Sequence, residues 1–122
     1  MSRALPRPSV SILLSLLLLG GLSNLAWAHA ILMESTPKIY ATVTGPDVPI
    51  HLRFNVRIDG SRSRVELTAP DGSATTLSAR QDAPNILECN ATGLKPGAYK
   101  LKWNVLASDG HMSKGEVPFT VK

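Results

Sequence analysis

Three histidines, His29, His51 and His111, are the candidate imidazole donors of the chain. His51 stands between Ile50 and Leu52 on the polar phase of an alternating stretch, where a solvent-facing or cross-strand residue is expected. His111 lies in "ASDGHMSKG" (107–115), two residues beyond Asp109. A carboxylate oxygen and an imidazole nitrogen would share one face there if the backbone stays extended. The same Ser-Asp-Gly-His run also has the composition of an ordinary turn. His29 follows "AWA" (26–28), and the small residues Ala26 and Ala28 are what a signal peptidase reads at −3 and −1. The cut is expected between Ala28 and His29.

A chain that begins at His29 offers a metal two nitrogens from one residue. Its α-amine titrates near ~8 and an imidazole near ~6.5 in ordinary peptides, so a divalent ion displaces either proton readily. Amine nitrogen and Nδ1 close a six-membered chelate on one ion. With His111 and Asp109 the donor set becomes three nitrogens and one oxygen. In a tetragonal plane this set suits Cu(II), which stands highest in the divalent affinity order. Zn(II) would draw the same donors toward a tetrahedron. While Ala28 still precedes His29, that nitrogen is an amide, so the uncut chain is expected to hold Cu(II) far more weakly.

The elements that must position these residues are short strands. Residues 1–28 read as a cleaved signal peptide: Arg3 and Arg7 form a basic start, and Val10 to Leu19 an apolar stretch too short for a comfortable membrane span. Residues 29–122 then form one small domain. Within it "IHLRFNV" (50–56) and "YKLKWNVLA" (99–107) alternate strictly, with Trp103 on the apolar phase. Segments 29–33, 64–69, 74–79, 85–91 and 116–121 repeat the habit, and Pro70-Asp71-Gly72 and 93–98 read as turns. No segment has a sustained helical period. Seven such segments predict an all-β fold, a seven-stranded antiparallel Greek-key sandwich of immunoglobulin-like form.

Charge and cysteine content narrow the classes further. Without Arg3 and Arg7, eleven basic residues face nine acidic ones, scattered and without aromatic interleaving, which argues against nucleic acid. Cys89 is the single cysteine, so no internal disulfide forms, and its place two residues after Leu87 reads as a buried, inert thiol.

The order of motifs across residues 29–122 resembles the CopC family of periplasmic copper-binding proteins. Those motifs are "HAIL" after the cut, "LRF" in the second alternating segment, "LKPGAYKLKW", and "SDGH" followed by a glycine and a final "FTV". The resemblance implies a copper-binding sandwich that takes one Cu(II) per chain through the mature N-terminus, with ligands carried over to His29, Asp109 and His111. It also implies a periplasmic location, a role in copper homeostasis or resistance, and a CopD-type inner-membrane copper transport protein as partner. A monomer is expected. Two departures stand out. The stretch that carries soft thioether donors for Cu(I) in other members, here "TAPDGSATTLS", has no methionine. Some members also place a glutamate near the site where this chain has Val56. The pattern is that of a Cu(II)-only branch.

Two other readings use the same residues. Lytic polysaccharide monooxygenases build a copper brace on an N-terminal histidine, but they need open coordination positions and an aromatic substrate face. Here an aspartate sits close to the donors, and Tyr40, Phe54, Tyr99, Trp103 and Phe119 lie mostly at core phase. In a metal-free structural sandwich His29 would be an accident of cleavage and Ser-Asp-Gly-His only a turn.

Overall fold

A computed structural model describes residues 29–122; the expected signal peptide, residues 1–28, lies outside them. The strands are β1 (Leu32–Thr36), β2 (Thr42–Val43), β3 (Val48–Phe54), β4 (Ile58–Thr68) and β5 (Ala74–Leu77), followed by β6 (Arg80–Ala83), β7 (Ile86–Ala91), β8 (Gly97–Ala107) and β9 (Met112–Val121). Alternation explains the long ones, because a strand sends successive side chains to opposite faces. β3 buries Val48, Ile50, Leu52 and Phe54, and β8 buries Tyr99, Leu101, Trp103, Val105 and Ala107. Leu87, Cys89 and Ala91 of β7 and Val117, Phe119 and Val121 of β9 complete the shared core.

The strands form two sheets, β1-β3-β7-β6 and β2-β9-β8-β4-β5. The chain changes sheet between β1 and β2, β2 and β3, β3 and β4, β5 and β6, and β7 and β8, in keeping with the Greek-key sandwich the alternation implied. The described residues contain nine strands and not seven. Thr42–Val43 is too short to carry a period, and it pairs parallel to Thr120–Val121, so the sandwich is not wholly antiparallel. Arg-Gln-Asp-Ala makes β6 as a separate edge strand with no apolar alternation to mark it.

Two boundaries matter for the site. The first strand runs from Leu32 and not from His29, with a bulge at Met33 between the pairs Leu32–Phe54 and Glu34–Arg53. The last strand begins at Met112, four residues before the expected start. Its inward positions there are Ser113 and Gly115, too small to register as an apolar period. Gly115 pairs with Trp103, whose indole meets the Phe54 ring edge-on with centroids 5.2 Å apart. A Cβ on Gly115 would run into that indole.

Candidate functional site

The hairpin joining β8 to β9 closes through two backbone hydrogen bonds, Gly110 N–H to Ala107 O and Ala107 N–H to His111 O, each 2.9 Å. Gly110 takes φ 93°, which a glycine adopts without steric cost. Asp109 and His111 therefore meet through a turn, not along the extended backbone expected from their spacing. Asp109 Oδ1 accepts the His111 backbone N–H at 3.1 Å, and His111 Nδ1 lies 3.3 Å from the same oxygen. That backbone N–H, reinforced by the imidazole, holds the Asp109 carboxyl below its ordinary value of 3.8 against a smaller opposing effect of burial.

The β4–β5 hairpin repeats this construction. Gly72 N–H donates to Ala69 O at 2.9 Å, Ala69 N–H to Ser73 O at 2.8 Å, and Ser73 N–H to Asp71 Oδ1 at 2.9 Å, with Gly72 at φ 88°. Ala-x-Asp-Gly is thus a turn in its own right, and its aspartate needs no metal to be fixed. The residue after the glycine sets the two copies apart: Ser73 in one, His111 in the other.

They differ also in their surroundings. The His29 and His111 rings face each other edge-on, centroids 5.9 Å apart and planes at 68°. Two imidazoles sharing one ion through bonds of about 2 Å have centroids roughly 4.5–6.4 Å apart, so this spacing fits a common metal. The start of the described chain is fixed by backbone hydrogen bonds to both sheets. Ala30 is buried and its N–H donates to Ser113 Oγ at 3.0 Å, while Ile31 N–H donates to Asn55 Oδ1 at 2.7 Å. Asn55 returns its own N–H to Ile31 O at 3.0 Å. Ser113 and Asn55 are the positioning residues that sequence reasoning missed. The available signals were slight: a serine two residues after His111, and an asparagine on the polar phase beside Val56, which itself packs partly buried on the core.

Among the described residues no three His, Cys, Asp or Glu side chains are gathered closely enough to hold an ion. The arrangement is a histidine pair with one carboxylate on His111, and the His29 nitrogen is an amide in this chain.

The remaining expected residues fall elsewhere. His51 is cross-strand, with Nδ1 2.9 Å from Glu88 Oε1; Arg80 donates to Glu88 Oε2 at 2.7 Å and to Asp82 Oδ1 at 3.0 Å. The neighbouring Asp82, His51 and Arg80 side chains, in that order of weight, hold Glu88 at about 2. Burial pushes the Cys89 thiol up to about 11, so it stays protonated and inert. Phe54, Tyr99, Trp103 and Phe119 are core residues, and Met112, whose strand position suggests half-burial, is instead exposed.

The CopC domain family model matches residues 32–122. Protein YobA of Escherichia coli strain K12 is 36% identical over 100 residues, covering 79% of this chain and 81% of its own. Copper resistance protein C of Xanthomonas campestris pv. juglandis is 32% identical over 106 residues, covering 80% and 83%. Among solved structures, the crystal structure of CopC from Methylosinus trichosporium OB3b superposes with a TM-score of 0.70 at 28% identity, covering 77% of this chain and 94% of that one.

Proposed function

The chain belongs to the CopC family, with a role in copper resistance or transport, and from that premise we propose that it is an exported, non-catalytic carrier of Cu(II) in the periplasm. Copper is its cargo, one ion per chain. The α-amine and imidazole of His29, freed by cleavage after Ala28, form the chelate, and His111 and Asp109 complete the donor set. The observation that carries this reading is the His29–His111 pair at 5.9 Å, held by the Ala30–Ser113 hydrogen bond.

The chemistry suits holding and release. Imidazole, amine and carboxylate donors match a borderline divalent ion, and the carboxylate favours Cu(II) over the softer Cu(I). Both rings stand at an edge turn, where another protein can reach the ion. A CopD-type inner-membrane transport protein fits as the acceptor. A carrier is favoured over a monooxygenase because a carboxylate lies beside the imidazole pair, and because four of the five aromatic side chains in residues 29–122 are core residues.

The test is a Cu(II) titration followed by EPR on two versions of residues 29–122. One begins at His29, and the other carries a single extra alanine before it. A one-to-one tetragonal, nitrogen-rich signal that collapses in the extended version is expected. Equal binding in both, or none in either, overturns the proposal.

A further inference from the structure

The large apolar side chains left exposed among the described residues are Ile31, Met33, Ile39, Tyr40 and Met112. The topology puts them along one side of the sandwich. β1 is the outer strand of its sheet, and β2 covers only Thr120 and Val121 of β9, so the rest of β9 borders the same open side. Segment 29–43 runs across that opening.

This side carries a strained turn at residues 38–41. Ala41 N–H donates to Lys38 O at 3.0 Å, which places Ile39 and Tyr40 at the tip, and Tyr40 N–H donates to Pro118 O at 2.7 Å, which fixes the tip to β9. Tyr40 takes φ 62°, at a turn position normally given to glycine or asparagine. A bulky side chain pays for that conformation and here buries little in return: Tyr40 is 82% exposed. Packing within the fold does not account for the Tyr40 side chain. Strain of this kind clusters at binding and other functional sites.

We propose that the Lys38–Tyr40 turn is a membrane contact, inserting Ile39 and Tyr40 among the headgroups of an anionic phospholipid bilayer. The three neighbouring side chains supply what that interface favours. An aliphatic tip reaches the acyl boundary, a phenol sits at headgroup level, and an exposed ammonium meets lipid phosphate. Lys38 joins none of the ion pairs among the described residues, so its charge is free for that purpose. The exposed apolar residues are spread from segment 29–43 to the start of β9, which suits a broad fluid surface. No helix among the described residues is long and apolar enough to cross a membrane, and two inserted side chains give reversible attachment. The side presented to the bilayer is the one where Ala30 is tied to Ser113 beside His29.

Flotation with vesicles tests this directly. Residues 29–122, which contain both sheets and the core, are mixed with vesicles of phosphatidylglycerol and phosphatidylethanolamine, and separately with phosphatidylcholine. Binding to the anionic vesicles, reduced by raising salt, is expected. Tyr40→Gly should cut the bound fraction at least threefold while raising the thermal midpoint, because glycine accepts φ 62° without strain. Loss of binding in that variant therefore cannot be ascribed to unfolding. Ile39→Ala should weaken binding without the gain in midpoint. Full vesicle binding by Tyr40→Gly, or no binding of the unsubstituted protein to anionic vesicles at millimolar lipid, overturns the proposal.

Discussion

At the scale of single residues, the aspartate of the site has two separable duties. Its Oδ1 closes the turn by accepting the His111 N–H, and its charge lies beside the His111 imidazole. Asparagine keeps an acceptor in the same place and removes the charge. For Asp109→Asn we expect a fold of nearly unchanged thermal midpoint and a Cu(II) affinity about 10–100-fold weaker, measured by competition titration. An unchanged affinity would leave the carboxylate a turn residue only. The proposed donors, His29, Asp109 and His111, stand out in the sequence because a histidine after a cleavage pattern and an Asp-x-His pair are chemical signatures. Ser113 and Asn55 were not, since each acts by accepting a backbone N–H, and such bonds leave no spacing to read.

At the scale of elements, the start of β9 carries the proposed site, and its placement depends on Gly115. That residue lies opposite Trp103, and an added methyl would force the indole off its seat against Phe54. Gly115→Ala is expected to cost about 1–3 kcal/mol of stability in urea unfolding. Because Ser113 lies two residues upstream on the same strand, the displacement should also reduce Cu(II) affinity. Undiminished stability would show that the indole has room to move. β3, β7 and β8 could be read from sequence because every second residue is apolar. β2, β6 and the first half of β9 could not: two residues carry no period, a polar edge strand has no buried face, and serine and glycine at inward positions hide the alternation.

At the scale of the whole molecule, the outer face of the four-stranded sheet is fastened by a cluster linking β3, β6 and β7: His51, Glu88, Arg80 and Asp82. Asp82, His51 and Arg80 together lower the Glu88 pKa from 4.5 to about 2. A carboxyl depressed on folding contributes stability that is complete above its unfolded pKa and lost as pH falls through the folded one. The thermal midpoint should therefore decline as pH drops from about 4.5 toward about 2, more steeply in the unsubstituted protein than in Glu88→Gln. Parallel melting curves for the two proteins would assign that slope to other carboxyls. Asp59, Asp71 and Asp109 are depressed as well and add to the same acid limb. The two Ala-x-Asp-Gly turns sit at opposite ends of the five-stranded sheet, since Thr68 pairs near the beginning of β8 and Ala107 ends it. The end-to-end symmetry this creates is broken by their neighbours: residues 93–97 lie beside the Asp71 turn, and the first residues of segment 29–43 beside the Asp109 turn. The fold is in this sense a polar object built from interchangeable caps: either end could display an imidazole, and only the end where the chain emerges gives it a second nitrogen-bearing ring to face.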